Sequence, residues 1–138
     1  REKFEPSEQL QEPYVMLGSD ASLRALTGPL SHDYPHPRAY GSMPRFLRMA
    51  IDEALMPLPE AIRKMTSLPA EQFQLKKRGI IQTGYAADIV VFDSETIQDH
   101  ATYGNPHALS TGIAHVILNG VPTLSDGSET GQLPGRVV

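Results

Sequence analysis

The apolar positions follow three different rhythms along the chain. Tyr14-Val15-Met16-Leu17 is a short unbroken apolar run, which predicts a strand covered on both faces, as in parallel sheets and barrels. Phe46, Leu47, Ala50, Ile51, Ala54 and Leu55 then recur at three- and four-residue spacing, and Ala61, Ile62, Met65 and Leu68 repeat the stripe, so two helices are predicted from Pro44 onward. Pro44 suits the first turn of one helix, and Pro57 stops it before the next begins. After Gly79 β-branched residues take over. Ile89-Val90-Val91-Phe92 reads as a strand, and His115 to Leu118, the Asn119-Gly120 turn and Val121 to Leu124 read as a hairpin.

Weaker signals fill the gaps. Pro6-Ser7-Glu8 predicts a short helix that Pro13 ends. A third short helix is predicted after Pro69, with Phe73 and Leu75 inward and Lys76-Lys77-Arg78-Gly79 closing it. Ile80-Ile81 and the Thr83-Gly84 turn belong to the strand-rich part. Residues 21–44 and 94–112 are predicted as long loops, and the tail from Gly127 as loop-like. The first of these loops holds Pro29, Pro35, Pro37 and Pro44, together with His32, Asp33, His36 and Arg38; loops of such length inside a domain tend to carry function. The order of elements predicts an α/β chain with a β-rich C-terminal part, the two joined at about Gly79.

Composition narrows the picture. The 138 residues suit one domain or a piece of a larger one, and the chain opens on Arg1 rather than methionine, so numbering is expected to begin inside a longer polypeptide. Hydrophobic residues make up 40%, enough for a core. A net charge of −4 and a pI of about 5.7 provide no basic excess for phosphate backbones, which argues against a nucleic-acid partner. No apolar run approaches the ~20 residues of a membrane helix, so no membrane association is expected. The absence of cysteine excludes disulfides and thiolate metal sites and leaves the compartment open.

Asp20 raises the chemical question, because it follows the apolar run after only Gly18 and Ser19. An acid at a strand end can be a turn residue, a cap, a buried structural group or a catalyst. On the residues alone the cap is favoured, since aspartate is so common at loop starts. For Arg38 the residues alone favour a surface arginine paired with an acid such as Asp33. The histidines do not form a zinc pattern. His32 and His36 are four apart, but Pro35 and Pro37 deny them a helical face, and His100, His107 and His115 are scattered. His36 reads as a loop-packing residue. Asp88 and Asp93, five apart around a strand, face opposite sides and read as turn and strand-end residues.

Several segments together resemble one family. "GSDAS", "HPRAYGSMPRFL", "EAIRKMTSLPAEQFQLKKRGIIQTGYAADIVVFD", "DHATYGNPH", "HVILNGVPTLSDG" and "TGQLPGRVV" occur in the order found in the N-acyl-D-amino-acid deacylases, or D-aminoacylases, of the amidohydrolase superfamily. They cover nearly all of residues 14–138. The resemblance implies a fragment of a metal-dependent (β/α)8 barrel and part of a small β-sandwich-like domain. Residues 1–78 would be the end of the barrel: its last strand, a substrate loop and helices. Residues 79–138 would be the C-terminal share of the β-domain.

The same resemblance implies zinc-dependent hydrolysis of the amide of N-acyl-D-amino acids, the small-molecule substrate. Asp20 would be the acid/base group with a metal contact, Arg38 would hold the substrate carboxylate, and the remaining zinc ligands would lie outside this chain. The fragment alone is expected to be inactive, with self-association one way to cover its open edges. Two other readings are a dihydroorotase- or hydantoinase-like cyclic amidase and a non-catalytic β-rich assembly domain.

Overall fold

The computed structural model describes residues 6–137. Among the described residues four α-helices and one 3-10 turn (Pro29–Ser31) precede a four-stranded antiparallel sheet: α1 (Pro6–Gln11), α2 (Arg38–Asp52), α3 (Leu58–Met65), α4 (Ser67–Gln72), then β1 (Ile89–Phe92), β2 (Ile113–Leu118), β3 (Val121–Ser125) and β4 (Ser128–Glu129). The sheet is a meander in the order β1-β2-β3-β4. Its central turn is set by Asn119-Gly120, both at positive φ (50° and 80°), the backbone that a two-residue hairpin needs to match strand twist.

The predicted apolar stripes converge on one core. Phe46, Leu47 and Ala50 from α2 meet Ala61 from α3 and Ile97 from the β1–β2 connection. Leu10, Leu17, Phe92 and Ile113 pack around them, so the N-terminal segment, α2, α3, the β1–β2 connection and the first two strands share it. Each fully buried large side chain contributes about 1.5–3 kcal/mol.

Several expectations are corrected. Tyr14 to Leu17 forms no strand; a strand needs a ladder partner, and none reaches it among the described residues. Instead Leu17 N–H donates to the Lys64 carbonyl (3.2 Å), which binds the run to the end of α3.

Helix α2 starts at Arg38, so residues 38–44 are not loop and Pro44 lies in the helix interior. An interior proline leaves the carbonyl four residues back without its partner. That carbonyl belongs to Tyr40, and the Ser110 hydroxyl donates to it (3.2 Å). The same helix ends at Asp52, ahead of Pro57, with Ala54 at φ 49°.

The third helix begins at Ser67 and buries Ala70, whereas Phe73 is 68% exposed. It ends at Gln72, well before Gly79: beyond the Phe73 cap Gln74 takes φ 57° while Leu75 N–H and Gln74 N–H donate back to Ala70 and Glu71 carbonyls (2.8 and 3.1 Å), a Schellman closure. Gly79 is also left-handed (φ 85°), but it is needed for its close approach to Ala70.

The tail is not all loop. Asp126-Gly127 (φ 49° and 73°) turns a second hairpin that pairs Ser125 with Ser128 and Leu124 with Glu129. Ile80 and Ile81 are exposed and stay outside the sheet.

The β1–β2 connection is pinned rather than loose. Asp93 accepts the Glu95 N–H (2.8 Å), a bond that, helped by the Thr96 hydroxyl, holds its carboxyl below the usual range. Arg48 of α2 donates to the Ser94 and Glu95 carbonyls (3.0 and 3.3 Å) and pairs with Asp52 (2.7 Å). Asp88 and Asp93 behave as strand-end residues: Asp88 accepts Asn119 N–H (2.8 Å) and pairs with Arg78, which fixes the β1–β2 register.

Gly112 sits at φ 81° with the Thr96–Ile97 backbone against it, inside contact distance of any Cβ. Gly112→Ala is expected to lower stability by roughly 2–5 kcal/mol, strain and overlap together. A drop in the urea midpoint at unchanged m-value checks this.

Candidate active site

The segment that carries Asp20 is fixed from α3. Lys64 is 1% exposed and is the one fully buried charged residue among those described. It lies on the Ala61–Leu68 stripe, so helical periodicity turns it inward. Its ammonium donates to the Val15 carbonyl (2.9 Å) and to the Glu12 carbonyl, with Glu60 at 3.9 Å. Burial pushes its pKa down, while Glu60 acts in the opposite direction. Arg63 adds a bond to the Pro13 carbonyl while its guanidinium clasps Glu60 through two bonds of 2.8 Å. Residues 12–17 are thus strapped to α3 by two side chains and one backbone bond.

Past this anchor the chain turns at Gly18-Ser19-Asp20. Asp20 has φ 48°, a left-handed conformation that aspartate tolerates better than most residues. The next turn is closed by Ser19, whose Oγ accepts the Ala21 N–H (3.3 Å). The Asp20 carboxylate is 89% exposed, and its bond is to Arg38: Nη2 to Oδ2 is 2.9 Å. The two residues marked from the sequence, eighteen positions apart, therefore meet. Asp33, the alternative partner for Arg38, pairs with Arg24 instead (2.8 Å).

Arg38 is the first residue of α2, and its position depends on His36 and, through it, on Tyr103, which the sequence did not single out. Arg38 N–H donates to His36 Nδ1 (3.0 Å), and His36 Nε2 bonds the Tyr103 hydroxyl (2.8 Å) with the rings edge-on at 5.0 Å. His36 thus packs a loop, as read from the prolines beside it. Tyr34 Oη–H donates to the Tyr103 carbonyl (2.7 Å), and Tyr40 Oη–H to the Ala25 carbonyl (2.9 Å). His107 lies against Tyr34 and Tyr40. Tyr103 sits in "DHATYGNPH", inside the stretch 94–112 that the sequence marked only as a long loop.

Among the described residues no three histidine, cysteine, aspartate or glutamate side chains lie close enough to hold a metal ion together. Asp20 supplies one carboxylate donor. Chemically, the pair offers an acid/base group open to water and a guanidinium that can hold an anion.

The profile of the amidohydrolase family matches residues 15–124, and the chain belongs to that family. More particularly, it is 45% identical over 126 residues to a D-aminoacylase and 40% identical over 130 residues to an N-acyl-D-glutamate deacylase, both from Alcaligenes xylosoxydans xylosoxydans. These alignments cover 90% and 93% of this chain but 24% and 25% of the relatives, so the chain spans about a quarter of their length. A crystal structure of D-aminoacylase superposes with a TM-score of 0.81 at 42% identity, over 91% of this chain and 25% of that one. An N-acyl-D-glutamate deacylase from Bordetella bronchiseptica, bound to zinc and a phosphonate mimic of the tetrahedral intermediate, superposes at 0.76 and 40% identity, over 89% of this chain and 26% of that one.

Lys64→Ala is expected to destabilise the chain by ~2–3 kcal/mol, from the lost packing and the lost charged hydrogen bonds. Urea unfolding checks the size, and faster protease cleavage within residues 12–20 checks the location.

Proposed function

We propose that this chain is the C-terminal part of a metal-dependent deacylase that hydrolyses the amide bond of N-acyl-D-amino acids to a carboxylate and a D-amino acid. In this reading residues 1–78 end a (β/α)8 catalytic barrel, with Tyr14 to Leu17 pairing as its last strand once neighbouring strands are present. Residues 79–138 form the C-terminal share of a small β-sandwich-like domain. Support comes from relatives named D-aminoacylase, N-acyl-D-glutamate deacylase and N-acyl-D-aspartate deacylase, each 40–45% identical.

The observation that carries the reading is the 2.9 Å contact between Asp20 and Arg38. In an N-acyl amino acid the scissile amide carbon and the carboxylate carbon are separated only by nitrogen and Cα, about 4 Å of covalent chain. A group that works on the amide and a group that holds the carboxylate must therefore be neighbours. Arg38 would grip the carboxylate with two parallel hydrogen bonds from its planar guanidinium. The ion pair it makes with Asp20 is exposed, and such pairs contribute ~0–1 kcal/mol. A substrate carboxylate can thus replace Asp20 at Arg38 with little loss.

Asp20, released, would take a proton from the attacking water and return it to the leaving nitrogen. A bound zinc ion supplies carbonyl polarisation and a more acidic water. Asp20 is the donor this chain would offer it, the other ligands lying in polypeptide outside these residues.

In the intact enzyme Asp20→Asn is expected to lower kcat by about 10²–10⁴-fold while leaving KM nearly unchanged. Steady-state kinetics on an N-acyl-D-amino acid decides; full turnover would refute the role. The 138-residue chain alone, supplied with zinc, is expected to show no hydrolysis, and clear turnover would overturn the assignment of the remaining machinery to other polypeptide.

A further inference from the structure

Tyr103 is 74% exposed, yet both of its polar ends are engaged. Its carbonyl accepts the Tyr34 hydroxyl proton and its own hydroxyl meets His36 Nε2. It also sits in a turn closed from both sides: Thr102 N–H donates to the Asn105 carbonyl (3.0 Å), and Asn105 N–H donates to the Thr102 carbonyl and hydroxyl (3.2 and 3.0 Å). Pro106, next in sequence, is fully buried. An exposed aromatic held so firmly, sixty-five positions from Arg38, calls for a reason beyond packing.

That reason is found at the start of α2. Pro37 precedes Arg38 and contributes no capping side chain, so the first amide of the helix depends on His36 Nδ1. Because Nδ1 accepts the hydrogen bond of the Arg38 N–H, the ring carries its proton on Nε2, whose N–H donates to the Tyr103 hydroxyl oxygen. The chain of bonds therefore runs from the rigid 102–105 turn through Tyr103 and His36 to the backbone of Arg38.

From this we infer that His36 and Tyr103 are positioning residues for the carboxylate-binding Arg38, and that the β1–β2 connection sets substrate carboxylate affinity through them. The inference rests on the assignment of Arg38 above. Arg38 is exposed, and its exposed pair with Asp20 is too weak to fix its direction. A bidentate grip tolerates little misalignment, so the backbone from which the side chain springs must be held still. Tyr103 acts on the substrate only through that backbone.

The test uses the intact enzyme and two substrates, an N-acyl-D-amino acid and its uncharged primary carboxamide. Arg38→Met should raise KM for the acid and leave the carboxamide unchanged. If the acid and the carboxamide respond alike to Arg38→Met, the assignment of Arg38 fails, and this proposal with it. Tyr103→Phe removes only the hydroxyl and keeps the carbonyl bond to Tyr34. It should raise KM for the acid roughly five-fold, the worth of one hydrogen bond, with kcat and the carboxamide unaffected. His36→Asn, which keeps an acceptor near the Arg38 amide, should be milder than His36→Ala. Added to Arg38→Met, Tyr103→Phe should have no further effect. If Arg38→Met behaves as stated but Tyr103→Phe leaves KM unchanged, slows both substrates equally, or adds in full to Arg38→Met, the positioning role alone is overturned.

Discussion

A buried ammonium organises this structure. The Lys64 side chain is only 1% exposed, and an isolated charge in that setting would cost several kcal/mol. Carbonyls of Glu12 and Val15 offset that cost, and they do so only if residues 12–17 lie against α3. The Lys64 carbonyl then receives Leu17 N–H from the same segment. One residue thus binds the segment through both its side chain and its backbone, and Leu17 joins the core as a result. Asp20 follows three residues later, so its approach to Arg38 begins at this lysine.

The same logic extends to the long connections. Residues 93–112 carry no extended secondary structure beyond one bridge between Gln98 and Thr111, yet they join the helices to the sheet. Ile97 enters the core, Arg48 fastens the connection's start to α2, and Ser110 takes over the Tyr40 carbonyl that Pro44 leaves free. Gly41 lets Asp99 come within reach of α2, where any side chain would crowd it. Polar groups stranded in one element are satisfied by another. This is why a proline can sit inside α2 and why the helix can begin early enough to carry Arg38 at its first position.

Much of the local architecture was legible in the residues. The Phe46–Leu47–Ala50 and Ala61–Ile62–Met65 stripes, the Ile89–Phe92 strand and the Asn119-Gly120 hairpin all form where the periodicity and turn chemistry put them. The misses share a cause. Pro44 resembles a helix start because its defect is visible locally, whereas the Ser110 hydroxyl that repairs it is sixty-six residues away. Tyr14 to Leu17 has the composition of a buried strand but no neighbour to pair with among the described residues. Gln74 takes the left-handed position after α4 where glycine would be expected, held by its own bond to Glu71 and that of Leu75 to Ala70. The Asp126-Gly127 turn closes a second hairpin where the polar tail had been expected to be loop.

The sequence by itself determined most of the helical and strand segments and the family to which the chain belongs, and through that family resemblance it singled out Asp20 and Arg38 for the roles proposed above. These follow from short-range periodicity and from motifs in fixed order, both of which a linear string retains. Only the tertiary structure decided that Asp20 points at Arg38 rather than capping its own turn, that Lys64 faces inward with its charge, and that Tyr103 reaches His36. Each of these is a contact between groups far apart in the chain, and its existence depends on how the whole core packs. Neither the spacing nor the chemistry of the residues taken singly encodes that distance.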